Sequence, residues 1–212
     1  PLAEPGSEPQ SSWGRSIGTK PAEAPEPASA VVESARPIDP DHFDPVWATE
    51  AIKAYERAIE LTGGRYWKAA ANAGWVLFRL EGYGSALRVW AASLAALNLA
   101  PADQHLGAAI LHYHTGRAHN LEADRQAQPE TYWQAALDSF GQALDRLDAA
   151  ADIDWYLEII RCLMETHRHL VQDDAADAWL RTGSELLRRL VRETDSTARK
   201  IELASQLASF GR

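Results

Sequence analysis

Three histidines, His105, His112 and His119, recur at intervals of seven residues in one stretch of the chain, and a row of imidazoles can serve as metal ligands or as acid–base groups. The interval argues against a metal. On a helix the members stand about 10.5 Å apart along the axis, whereas a zinc-binding pair needs a separation of three or four residues to reach one ion. His112 and His114, like His167 and His169, lie about 200° apart around a helix, which divides each pair between two faces. Cys162, the chain's one cysteine, has histidines five and seven residues on, and neither spacing brings an imidazole to the thiol's side of a helix. Gly82-Tyr83-Gly84 lacks the third glycine and the preceding strand of a phosphate-cradling loop, and neither Gly-x-x-x-x-Gly-Lys nor Gly-x-Ser-x-Gly occurs. These residues predict no catalytic set, no bound cofactor and no metal.

Composition narrows the classes further. A chain of 212 residues, 46% apolar, is long enough for one core. Its net charge of −9 gives no basic stripe for nucleic-acid phosphates. Residues 181–212 reverse the sign locally, with seven Lys/Arg against four Asp/Glu, and Arg188, Arg189 and Arg192 sit close together. They form either a solvated face or a patch for an acidic partner or lipid headgroups. No run of apolar residues is long enough for a membrane helix. A lone cysteine permits no internal disulfide, which favours a reducing compartment such as the cytoplasm. The first residue, Pro1, fits removal of an initiator methionine or a segment cut from something longer, so a targeting or anchor segment stays open.

Residues 1–44 hold eight of the eleven prolines, diluted by Ala, Glu and Ser. Such a segment buries too little surface to offset its ordering entropy and reads as an extended arm. Trp13, in Ser12-Trp13-Gly14-Arg15, is either an incidental aromatic in a linker or a docking residue. From residue 45 the pattern becomes helical, and the spacing predicts helices over 46–61, 65–80, 83–98, 102–120, 130–148, 153–171, 174–192 and 195–210. Gly63-Gly64, Gly82, Pro101, the polar run up to Pro129, residues 149–152 and Asp173-Asp174 mark the breaks. β-Branched residues are sparse and never alternate over a useful length, so the fold class is all-α.

Three helices obey one packing rule. Ala51, Tyr55, Ala58 and Ile59, then Ala86, Trp90, Ser93 and Leu94, then Ala136, Phe140, Ala143 and Leu144 each place a small residue, an aromatic four later, a second small residue and an aliphatic. Spacings of four and three share a helix face, where small groups admit a neighbouring helix and the aromatic fills the gap beyond. The rule resembles the second helix of a tetratricopeptide repeat. Gly74 matches the small residue at which the family's paired helices cross, and Tyr83, Ala86 and Trp90 match the aromatic and small positions after it. Trp133, Ala136, Phe140 and Ala143 repeat the match. The starting alanines 51, 86 and 136 are 35 and 50 residues apart, against a family period of about 34, which puts an insertion at Leu121–Pro129. The resemblance covers residues 46–148 and extends to 153–210 by architecture alone, since Thr182 and Glu185 stand at the last pair's aromatic and second small positions.

That resemblance implies tandem helix-turn-helix units stacked as a short right-handed solenoid, with 195–210 as a capping helix. It also implies a concave groove, lined by first helices, that holds a segment of another protein. Projecting residues 65–80 at 100° per residue puts Ala70, Ala73, Gly74, Leu77 and Leu80 on the packing side and Lys68, Asn72, Trp75 and Arg79 opposite. Trp75 then either anchors a partner or packs beneath helix 46–61 or the arm. In 102–120, Leu106, Gly107, Ile110 and Tyr113 are expected to face inward, leaving His105, His112 and His119 as the polar groove wall opposite Trp75. The clamp by which some tetratricopeptide adaptors hold C-terminal carboxylates needs basic and Asn residues on three successive first helices; Lys68 and Asn72 supply part of one, and the next helix offers His105 and His112. Asp154, Glu158, Arg161, Glu165 and Arg168 form a self-paired charged stripe on 153–171. The expected activity is therefore a non-catalytic scaffold, adaptor or assembly factor, with the arm as a second contact or a tether to a larger or membrane-bound complex. The alternatives are a helical enzyme or ligand-binding subunit with a pocket at His105 and His112, and a purely structural subunit.

Overall fold

A computed structural model describes residues 45–98 and 105–210, and Trp13 with the rest of the arm lies outside them. The described residues form eight helices and no strand: α1 (Pro45–Leu61), α2 (Trp67–Leu80), α3 (Tyr83–Asn98), α4 (His105–Ala123), α5 (Glu130–Leu144), α6 (Ile153–His169), α7 (Asp173–Glu193) and α8 (Thr197–Ser209). The turns between them are closed by local chemistry. Between α1 and α2, Gly63 and Gly64 take φ of 60° and 85°, a region L side chains avoid, while Thr62 donates from Oγ1 to Ala58 O and accepts from the Tyr66 amide. Between α2 and α3, Gly82 at φ 93° lets its amide and that of Glu81 return to Leu77 O. Before α6, Asp148 accepts from the amides of Ala150 and Ala151. Ser196 caps α8 by accepting from Arg199 N.

The sequence-based boundaries hold to within about four residues, with one informative difference. Helix α4 runs on to Ala123, so the front of the Leu121–Pro129 segment is helical and only its remainder forms the turn into α5.

Helices consecutive in sequence pack on each other throughout the described segments. In addition α4 touches α2 and, over a smaller area, α6. The core follows suit. One cluster joins α1 and α2 through Ala48, Ile52, Val76 and Leu77, a second fills α2 to α4 around Trp90, and a third runs from α4 to α8 around Phe140.

Close crossings set these pairings. A Cβ on Gly74 would lie 2.1 Å from Nε1 of Trp90, and one on Gly116 would lie 2.5 Å from the Phe140 ring. Both aromatics are fully buried. Trp90 also donates from Nε1 to Ala70 O at 3.1 Å, so the ring is fixed by a hydrogen bond as well as by packing. The same device recurs where Gly107 admits Trp67 and Gly183 admits Phe210. Phe210, from beyond α8, thus fills against α7 the kind of gap that Trp90 and Phe140 fill between their own helices.

Candidate functional site: the α2, α4 and α6 face

Helix α4 is the centre of the described structure, buried along most of its length on every side. Its neighbours, rather than one apolar stripe, decide where each polar side chain goes. Trp75 on α2 meets it first. The indole is half-buried, donates from Nε1 to Nδ1 of His114 at 3.0 Å, and stands edge-on to Phe78, Trp90 and His114 with ring centroids 5.4–5.7 Å apart. It packs on rings of α2, α3 and α4, not beneath α1. His114 is 3% exposed and stacks on Trp90. Burial, with the Arg117 charge adding to it, pushes its pKa down to about 3, so the ring is neutral and its Nδ1 free to accept.

The row His105, His112, His119 therefore does not form the wall opposite Trp75. His105 is exposed; His112 is buried with Nε2 unpartnered, and its pKa is pushed down to about 4 by burial and then by Arg146. His119 is half-buried, with Nδ1 2.6 Å from the Tyr83 hydroxyl. Tyr83 in turn meets Tyr132 edge-on, and burial, followed by Tyr132 and Glu122, pushes its pKa up to about 12. These contacts turn the lower row toward α3 and α5. The reason is the Gly116–Phe140 crossing, which seats α5 on the side of α4 carrying residues 112, 116 and 119.

On the side of α4 that faces α6, a second polar set is assembled. The Tyr113 hydroxyl donates to Glu158 Oε1 at 3.2 Å, Arg117 lies 3.8 Å from the same carboxylate, and Arg161 reaches Glu158 Oε2 at 3.5 Å. Trp155 stands edge-on to Tyr113. One turn on, Asn120 donates to Thr166 Oγ1 at 2.8 Å, and Thr166 donates to Cys162 O. Cys162 is buried beside these groups, and burial pushes its thiol up to about 12, which keeps it protonated and unreactive at neutral pH. The Asp154 to Arg168 stripe is thus not purely solvated: Glu158 ties α6 to α4, while Arg161 and Glu165 remain exposed.

The remaining expected residues fall on α2. Asn72 is half-buried, Arg79 is exposed, and Lys68 is exposed with its ammonium 5.5 Å from the Trp67 ring. With Arg117, Arg161 and Glu165 they put polar and charged side chains on α2, α4 and α6, the helices that also carry the ring contacts Trp75–His114 and Tyr113–Trp155. Sequence reasoning placed Tyr113 in the core and passed over His114 and Arg117. The partners that Tyr113 and His114 find on other helices lie 45 and 39 residues away, beyond any local pattern. Chemically these side chains can pair carboxylates and guanidinium groups and stack on aromatics. Comparison with protein-family models, with curated proteins and with solved structures returns no match to this chain.

Proposed function

We propose that the chain is a non-catalytic interaction scaffold of tetratricopeptide type, holding a segment of a partner protein against the face shared by α2, α4 and α6. The observation that carries this reading is the contact of α4 with both α2 and α6, with the polar side chains of Asn72, Arg79, Arg117, Arg161 and Glu165 on these helices and the half-buried Trp75 and Trp155 and the buried Tyr113 among them. A set of this kind, rich in Trp, Tyr and Arg, matches the composition of interface hot spots. The two like crossings Gly74–Trp90 and Gly116–Phe140 support a repeated helix pair of the kind the resemblance implies, and α8, packed on α7 through Leu203 and Phe210, suits the capping role. Partner-binding roles follow for Arg79, Asn72 and Lys68 on α2, with Trp75 as the base on which they stand. Of the histidine row, only His105 has the exposure to contact a partner directly.

The test is site-specific photocrosslinking in cells. A photoreactive amino acid at Asn72, Arg117 or Glu165 should capture a common partner, and one at the exposed positions Ala91 of α3 or Gln142 of α5 should not. Equal capture from α3 and α5, or none from the proposed face, would sink the reading.

A further inference from the structure

Away from that face, a cleft of about 570 Å³ opens along α7, lined by Thr182, Glu185, Leu186, Arg188, Arg189 and Arg192, with Tyr156 of α6 and Ala149 opposite. Residues 182, 185, 189 and 192, with 186 three residues before 189, are joined by three- and four-residue steps, so one stripe of α7 forms the wall. Its floor is apolar, from Leu186 and Tyr156. Its rim is cationic. Arg189 reaches Glu193 at 4.0 Å, while Arg188 and Arg192 have no ion pair among the described residues. Two carboxylates oppose them: Glu185 in the lining, and Asp148 beside Ala149, whose oxygen is held by the turn amides of Ala150 and Ala151. Three guanidinium groups against one carboxylate in the lining leave the cleft positive on a chain whose net charge is −9.

This combination selects among anionic partners. A membrane surface calls for large apolar side chains pointing outward between the basic residues, and none of the exposed large hydrophobics lies in α7. Nucleic acid needs a longer basic track. A concave site with an apolar floor and a guanidinium rim instead fits an aliphatic side chain flanked by carboxylates, because the planar fork of arginine pairs a carboxylate through two parallel hydrogen bonds. We propose that this cleft binds an acidic segment of a partner protein, with Arg188 and Arg192 pairing its carboxylates and the Leu186–Tyr156 floor receiving an apolar side chain. It is a contact separate from the α2, α4 and α6 face.

The probe is a fluorescein-labelled peptide in which glutamates flank a central leucine, titrated with the full chain and followed by fluorescence anisotropy. Saturable binding is expected, weakened roughly tenfold or more in an R188E/R192E variant, and lost when glutamine replaces the peptide's glutamates. R188Q/R192Q, which introduces no new charge, should weaken binding in the same sense, and circular dichroism on both variants reports folding. Variants at Arg79 and Arg117 should leave this binding unchanged, which separates its failure from that of the proposed face. Undiminished affinity in both arginine variants would overturn the proposal, as would absence of peptide binding. Binding to phosphatidylserine vesicles through the same arginines, without peptide binding, would assign the cleft to lipid headgroups and overturn it too.

Discussion

Trp75 and His114 join α2 to α4 through a 3.0 Å hydrogen bond from the indole Nε1 to the imidazole Nδ1, a bond that requires His114 to be neutral at that nitrogen. The pH dependence follows. The pKa of His114 is depressed to about 3 by burial, and that of His112 to about 4. A histidine depressed in the folded state contributes stability that is complete above its unfolded pKa, near 6.5, and is lost as pH falls toward the folded value. Denaturant titrations at pH 7 and pH 5 should therefore show a marked loss at pH 5, on the order of 2 kcal/mol for each of these two buried rings. His114→Gln, which keeps an acceptor for Trp75 but cannot take a proton, should lessen that loss by about one ring's share. A pH 7 to pH 5 loss as large in the variant as in the wild type would show that His114 is not buried in this way.

The crossings at glycine make a prediction with an internal control. Gly74→Ala and Gly116→Ala place a Cβ 2.1 and 2.5 Å from the rings of Trp90 and Phe140, which are fully buried and cannot swing aside. Each should destabilise by about 1–3 kcal/mol through overpacking, despite alanine's better helix propensity. Gly141, on α5, has nothing within 4 Å of its would-be Cβ. Gly141→Ala should therefore stabilise by about 0.5–1 kcal/mol. Thermal melts of the three variants decide it, and stabilisation by all three would mean that the helices do not cross at Gly74 and Gly116.

That contrast also shows what the sequence could disclose. Helix positions were legible because the breaks are local: Gly63-Gly64, Gly82 and Pro129 each stop or start an element by their own backbone chemistry. Gly74 was legible through its distance to Ala86 and Trp90. Gly116 does for Phe140 what Gly74 does for Trp90, but the pair stands 24 residues apart rather than 16, and the longer connection between α4 and α5 hid the match. On α4 the inward positions Gly107, Ile110 and Tyr113 were legible and are buried, but the opposite face was not. A helix with Ala108, Ile110, Leu111, Tyr113 and Ala118 all buried offers a wheel no single stripe, so the histidine row was read as one groove wall although His112 is buried.

Trp75 now stands between the two roles considered for it. Truncation to alanine removes edge contacts with Phe78, Trp90 and His114, and Trp75→Ala should cost about 3–5 kcal/mol of stability, which makes it unsuitable for mapping binding. Trp75→Phe keeps a ring but leaves the buried His114 Nδ1 without a donor, at a cost of about 1–3 kcal/mol. Chemical denaturation of the two variants should rank them in that order. A Trp75→Ala protein as stable as the wild type would place the indole in solvent after all.

The turn between α6 and α7 carries the last prediction. Val171 adopts φ 57°, the left-handed region that a β-branched side chain enters only at a steric cost. The surrounding bonds show why the backbone is held there: Gln172 N returns to His167 O at 2.9 Å and Val171 N to Arg168 O at 2.9 Å, the pairing that closes a helix around a left-handed residue and is usually given to glycine. Nothing in the packing compensates, since the Val171 side chain is 83% exposed. Val171→Gly should relieve the strain without loss of buried surface, raising stability by about 1 kcal/mol, which for a domain of this size is a rise in melting temperature of roughly 2–4 °C. Val171→Asn, the next most tolerant residue at such a cap, should give a smaller gain in the same direction. If both variants melted below the wild type, Val171 would be making contacts in solution that offset its backbone strain, and the turn would have to be reconsidered as part of a binding surface.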